Sequence, residues 1–123
     1  MTINDMLLTA RESLQRLPAG QVDAELAAGA TLVDIRPAAQ RAAEGEIAEA
    51  LVIERNVLEW RLDPTSDARI PEALDHDVRW IILCSQGYTS SLAAASLQQL
   101  GLHRATDVIG GYEALAQARA TVG

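Results

Sequence analysis

The segment 79–91 reads RWIILCSQGYTSS and decides the fold that the rest of the chain adopts. Its first five residues are apolar apart from Arg79, as in a strand buried inside a sheet. The polar residues 84–89 come next and are too few for anything but a tight loop. Ser90 or Ser91 can then cap a helix. The segment therefore predicts a strand, a loop and a helix in immediate succession.

Further strand and helix signals alternate on both sides of this segment. Apolar runs predict strands at 30–35, 50–53 and 105–109, and helical spacing predicts helices at 4–17, 22–28, 38–44, 56–62 and 112–120, the first capped by Asn4 or Asp5. Strands that alternate with helices in this way predict an α/β fold. We expect one domain over residues 1–123, with a mostly parallel sheet of about four to five strands and helices on both faces.

The composition excludes several classes of function. A formal charge of -7 disfavours nucleic acids and anionic membranes as partners. All ten basic residues are arginines, so no lysine can act as a base or form a Schiff base. The use of arginine without lysine, together with abundant alanine, indicates a GC-rich, bacterial genome. Neither a signal peptide nor an apolar run of about 20 residues occurs, which predicts a cytoplasmic protein.

The chain has a single cysteine, Cys84, which excludes an internal disulfide and a cysteine-rich zinc site. Its two histidines, His76 and His103, are far apart in sequence and there is no second cysteine, so we predict no metal site. Cys84 directly follows the predicted strand, and open α/β sheets bind ligands at that end of their strands. The alternative is an inert buried thiol.

The loop after Cys84 is suited to binding an anion. Gly87 permits a positive φ, so the loop can curl with successive N–H groups pointing inward. The following helix adds the positive end of its dipole. We therefore expect a reactive thiolate at Cys84 and a socket for negatively charged sulfur.

Four segments, in this order, resemble motifs of the rhodanese homology domain: LVDIR at 32–36, GEIAEA at 45–50, CSQGYTSS at 84–91 and VIGGYEA at 108–114. The resemblance runs from about Leu17 to the end, which leaves 1–17 as an N-terminal helical extension. It implies a rhodanese-like fold and a sulfurtransferase without cofactor. Sulfane sulfur would pass from a small-molecule donor such as thiosulfate, through a persulfide on Cys84, to a thiol or cyanide-like acceptor.

The same resemblance implies which residues form the site. Cys84 would be catalytic, and the substrate would be bound by Ser85, Gln86, Gly87, Tyr88, Thr89 and Ser90. Because this loop has no basic residue, Arg36 and Arg55, each of which follows a predicted strand, are candidates for binding an anionic donor. Arg61 is a further candidate, and Arg36 can alternatively pair with a helix carboxylate. Glu46 replaces the histidine of the family's second motif.

Two other functions are compatible with part of the sequence. A phosphatase or arsenate reductase on a related loop needs an arginine within or closing the loop to bind the phosphoryl oxygens, and residues 85–91 contain none. A binding or regulatory module with little turnover agrees with the uncharged loop but does not need a cysteine. The sequence does not specify an oligomeric state.

Overall fold

The computed structural model describes residues 1–122 and contains six α-helices and four β-strands in that range. The helices are α1 (Ile3–Glu12), α2 (Val22–Ala27), α3 (Ala38–Glu44), α4 (Leu58–Leu62), α5 (Thr89–Gln99) and α6 (Gly111–Val122). The strands are β1 (Thr31–Asp34), β2 (Leu51–Val52), β3 (Trp80–Leu83) and β4 (Thr106–Asp107). Short 3₁₀ turns, Ala19–Gln21 and Arg55–Val57, precede α2 and α4.

The strands form one parallel sheet in the order β2-β1-β3-β4. The register places Asp34 opposite Leu83, so β1 and β3 end at the same edge of the sheet. The residues that follow each strand, Arg36 and Cys84 among them, therefore lie close together at that edge. The predicted α/β fold with a mostly parallel sheet is confirmed, with four strands.

The sheet has a hydrophobic core on each face. Along β3, Trp80 and Ile82 belong to one cluster with residues of α4 and α5, whereas Ile81 and Leu83 belong to the other with residues of α2 and α6. This division follows from the alternation of side chains in a strand and explains why β3 is apolar at every position. Within residues 1–122, none of the helices is long and apolar enough to cross a membrane.

The first helix differs from the prediction at both ends. Thr2 is its cap, in a capping box with Asp5, and the helix ends at Glu12 instead of continuing to Leu17. Leu17 instead has extended pairing, because its N–H donates to Asp107 O at 2.9 Å and its O accepts from Ile109 N at 2.8 Å. Pro18 favours this conformation, since a residue before proline avoids the helical region.

The predicted cap of α5 is also wrong. The helix begins at Thr89, and its N-cap residue, Tyr88, makes no side-chain capping bond. The hydroxyls of Ser90 and Ser91 instead donate to Asp107 Oδ2, each at 2.7 Å. No side chain therefore caps the first turn of α5. The Ser91 N–H donates to Tyr88 O at 3.1 Å, and the N–H groups of Thr89 and Ser90 are left for other acceptors.

Candidate active site

Cys84 is the first residue after β3 and is only 5% exposed. Its Sγ accepts hydrogen bonds from the backbone N–H groups of Gly87 at 3.2 Å and Ser90 at 3.4 Å. Backbone donors of this kind stabilise negative charge on sulfur. The curled loop expected around Cys84 is therefore present, and the role of Cys84 in chemistry stays a prediction.

Gly87 has a φ of +85°, in the left-handed region that favours glycine. A Cβ at this position would lie 2.8 Å from the nitrogen of Gly110 and 2.9 Å from the oxygen of Val108. Both neighbours are backbone atoms and cannot move away independently. The turn that brings the Gly87 N–H to the sulfur therefore requires glycine for its conformation and for its packing.

The beginning of α6 holds the first part of the loop. The N–H of Tyr112 donates to Cys84 O at 2.8 Å, and that of Glu113 donates to Ser85 O at 3.1 Å. These bonds satisfy two carbonyl oxygens that would repel an anion if they faced it. The start of the helix predicted at 112–120 thus forms part of the wall of the site.

Several N–H groups of the loop remain without an acceptor in the described chain: those of Ser85, Gln86, Tyr88 and Thr89. The amino end of α5 lies among them and adds its partial positive charge. Together these groups can bind the outer sulfur of a persulfide or the oxygen atoms of an anionic donor.

Two arginines that the sequence analysis missed contact the loop from behind. The Nη2 atoms of Arg11 and Arg16 donate to Gly87 O at 2.8 Å and 2.9 Å. Arg16 also pairs with Asp107 at 2.8 Å, and Asp107 is fully buried. The sequence contained one signal for such a contact. Asp107 is an acidic residue inside the apolar run 105–109, and a buried carboxylate needs a partner. The partner is 91 positions away in sequence, so no local pattern could identify it.

Arg36 is buried, and its charge is already neutralised. Its guanidinium donates to Asp34 Oδ2 at 2.7 Å and Glu44 Oε1 at 3.1 Å, and it lies over the ring of Tyr112 at 4.2 Å. Burial acts to lower the pKa of Arg36, but the bonds to the two carboxylates outweigh burial, so the pKa is raised and the group stays charged. The salt bridge predicted as one alternative for Arg36 is present, with Glu44 as the carboxylate on α3, and Arg36 also lines the cleft beside Cys84.

The other predicted arginines lie outside the cleft beside Cys84. Arg55 pairs with Glu59 at 2.9 Å, one helical turn away, and does not line that cleft. Arg61 donates to Ala68 O at 2.6 Å and lines a different cleft, near β2. The expectation that Arg55 faces the loop is therefore not met, because the i,i+4 carboxylate satisfies its charge within its own segment.

A cleft of about 340 Å³ opens in front of Cys84. It is lined by Ile35, Arg36, Pro37, Gln40, Glu44, Cys84, Ser85, Gln86, Tyr88 and Thr89. Five of the predicted binding residues thus line it, while Gly87 and Ser90 contribute their N–H groups to Sγ. Glu44 is exposed here and accepts a hydrogen bond from Ser85 Oγ at 2.9 Å. The charged residues of the cleft are therefore one carboxylate and one arginine that is already paired.

The chain matches the family model described as "Rhodanese-like domain" over residues 18–118. Comparison with curated protein sequences found no significant match.

Several solved structures are similar in fold. A protein of unknown function from Rhodopseudomonas palustris, described as a possible tyrosine phosphatase, has a TM-score of 0.86 and 28% identity, and the alignment covers 97% of this chain and 92% of that one. The human single-domain sulfurtransferase TSTD1 has a TM-score of 0.65 and 25% identity, with 83% and 95% covered. A rhodanese-related protein from Thermoplasma volcanium has a TM-score of 0.63 and 25% identity, with 83% and 90% covered.

Proposed function

Because the chain belongs to the family of rhodanese-like domains, we propose that it is a sulfurtransferase that carries sulfane sulfur as a persulfide on Cys84. The match confirms the resemblance seen in the sequence, and a sulfurtransferase is among the similar structures. The observation that carries the proposal is the position of Cys84 Sγ, where the N–H groups of Gly87 and Ser90 converge.

The reaction consists of two transfers at sulfur. In the first, the Cys84 thiolate attacks the outer sulfur of the donor, a sulfur–sulfur bond forms to Cys84, and the donor's own bond to that sulfur breaks. With thiosulfate, the leaving group is sulfite, which takes the bonding electron pair. In the second, a thiolate or cyanide attacks the terminal sulfur of the persulfide, and the electron pair returns to Cys84 as thiolate.

The loop can stabilise both anionic states of the enzyme. The free thiolate has the N–H groups of Gly87 and Ser90, and the terminal sulfur of the persulfide would extend toward the unpaired N–H groups of the same loop. Fixed backbone dipoles of this kind stabilise charge without reorganisation during the reaction. They also replace the basic side chain that residues 85–91 lack.

The charges of the cleft affect which sulfur donor the protein can use. A thiosulfate dianion would meet the Glu44 carboxylate and no unpaired cationic side chain on the cleft wall. Donors with one negative charge, such as a low-molecular-weight persulfide, meet less repulsion. We therefore propose that thiosulfate is a poor donor for this enzyme compared with a thiol persulfide.

The phosphatase alternative should also be tested, because the similar protein from Rhodopseudomonas palustris is described as a possible tyrosine phosphatase. The arginine that phosphoryl transfer requires is absent from residues 85–91. Arg11 and Arg16 donate to the outer side of the loop, at Gly87 O, and Arg36 donates to Asp34 and Glu44. Sulfur transfer is therefore the better-supported chemistry.

Mass spectrometry of the intact protein tests the proposal. Incubation with a thiol persulfide or thiosulfate should add one sulfur to wild type and none to Cys84→Ser, and addition of cyanide should release it as thiocyanate. Hydrolysis of p-nitrophenyl phosphate, measured in parallel, should be absent. A wild-type protein that gains no sulfur from any donor, or that hydrolyses the phosphate ester in a Cys84-dependent way, would refute the assignment.

A further inference from the structure

We propose that Arg11 and Arg16 are positioning residues, which hold the Gly87–Tyr88 peptide so that the N–H of Tyr88 points toward the sulfur carried by Cys84. The inference rests on the proposed function and adds to it a role for the N-terminal segment. Residues 11 and 16 precede residue 18, where the family match begins. The rhodanese-like core therefore receives these two contacts from outside the matched region.

The geometry follows from the planar trans peptide. The carbonyl oxygen of Gly87 accepts from Arg11 at 2.8 Å and from Arg16 at 2.9 Å. No cis peptide occurs in the described residues, so the N–H of Tyr88 points away from the two guanidinium groups. Tyr88 lines the cleft beside Cys84, and its N–H makes no hydrogen bond within residues 1–122. The arginines thus bind one end of the peptide and leave its donor end on the side of the ligand.

This peptide needs to be held because it adjoins a glycine. Gly87 can adopt several backbone conformations, so rotation of the following peptide meets little steric resistance from the residue itself. Such a rotation would replace the N–H with a carbonyl oxygen and repel a persulfide. Two charge-assisted hydrogen bonds to the oxygen oppose the rotation.

The two arginines differ in their other partners. Arg16 is paired with the buried Asp107. Arg11 has no carboxylate partner within residues 1–122; its Nε donates to Ser91 Oγ at 3.0 Å and its guanidinium lies over the ring of Tyr88 at 5.9 Å. Arg11 therefore adds an unpaired positive charge behind the loop, and its hydrogen bond to Gly87 O polarises the peptide so that the N–H becomes a stronger donor.

The test measures alkylation of Cys84 by iodoacetamide as a function of pH. We define the alkylation midpoint as the pH at which the rate constant is half its maximum. Arg11→Gln is the main variant, because it removes the contact without leaving a buried carboxylate unpaired. Arg69→Gln is the matched control, since Arg69 donates only to Ser66 O in its own turn and its replacement changes the net charge equally. Arg16→Gln combined with Asp107→Asn removes the second contact while neutralising both members of the pair.

We expect Arg11→Gln to raise the alkylation midpoint by about half a pH unit or more and to slow alkylation about threefold below the midpoint, as one lost interaction with the anion implies. Arg69→Gln should leave it unchanged. In wild type, persulfide formation should also shift the Tyr88 amide proton resonance strongly downfield, and this shift should shrink in Arg11→Gln.

Alkylation does not depend on sulfur transfer, so the two proposals fail separately. If wild type forms a persulfide but folded Arg11→Gln and the double variant both have the midpoint of Arg69→Gln, the positioning role is refuted and the proposed function stands. If the midpoints move but no donor yields a persulfide, the proposed function is refuted and the positioning of the loop stands.

Discussion

Replacement of Gly87 by alanine is expected to disrupt the loop around Cys84 while leaving the fold intact. The φ of +85° costs a non-glycine residue about 1–2 kcal/mol. In addition, the new Cβ would lie 2.8 Å from Gly110 N and 2.9 Å from Val108 O, both closer than a Cβ tolerates, so the loop must shift. A shift of this kind weakens the hydrogen bond from the Gly87 N–H to Sγ.

The expected rise in the alkylation midpoint follows from the strength of that hydrogen bond. A hydrogen bond to a charged group contributes about 1.5–3 kcal/mol. Since about 1.4 kcal/mol corresponds to one pH unit, the alkylation midpoint of Cys84 should rise by roughly one to two units. The free energy of unfolding should fall by the backbone strain and the displacement of the loop and by little else, because Gly87 belongs to neither hydrophobic cluster.

The assay needs two matched glycine controls. Gly20→Ala introduces a Cβ with no neighbour within 4 Å and without a positive φ. Gly29→Ala introduces one with no neighbour either, but at a φ of +108°, so it reproduces the backbone strain far from the loop. Gly29→Ala should lower the free energy of unfolding without moving the midpoint. If folded Gly87→Ala has the wild-type midpoint, the loop does not stabilise the thiolate as described.

Three further outcomes are expected. Glu44→Gln should increase kcat/KM for thiosulfate about fivefold, because removal of one carboxylate charge from the cleft relieves about 1 kcal/mol of repulsion, and should change kcat/KM for a neutral polysulfide little; equal effects on both donors would contradict this. Arg36→Gln should lower the free energy of unfolding in urea by about 3–5 kcal/mol, because Asp34 would remain buried without its partner, and an unchanged urea midpoint would refute that role. Burial alone would raise the pKa of Glu59, but the hydrogen bond from Ser96 and the pairing with Arg55 outweigh it and lower the pKa below 4.5. The advantage of wild type over Glu59→Gln in unfolding free energy should therefore be complete above about pH 4.5 and disappear as the pH falls through the lowered pKa of the folded state; a constant difference down to pH 2 would contradict it.

The part of the site that is local in sequence could be predicted from the sequence. The strand before Cys84, the glycine within the loop and the helix after it are neighbours in the chain, and their hydrophobic period and turn chemistry are local signals. The caps of α1 and α5 could not be predicted as reliably, because several polar residues compete at each position. Ser90 and Ser91 were suitable caps by type, but buried Asp107 accepts their hydroxyls instead.

The partners of the charged side chains were the least predictable part. For Arg36 the sequence allowed either a place at the site or a pairing with a helix carboxylate, and the structure has the pairing with Glu44. Arg55 was expected at the loop but pairs with Glu59. The arginines that do contact the loop, Arg11 and Arg16, are more than 70 positions from Gly87. Sequence patterns report periodicity along the chain, and contacts at this separation depend on the packing of the whole fold.

The loop is completed by residues from both ends of the chain, Arg11 and Arg16 before it and Tyr112 and Glu113 after it. During synthesis, Cys84 leaves the ribosome well before residues 112–113, which hold the carbonyl oxygens of the loop. A nascent chain therefore exposes the Cys84 thiol before these contacts of the loop can form, and the loop is complete only after residues 112–113 have emerged. Under the proposed function, the order of translation would delay sulfur transfer until the protein has folded around the cysteine.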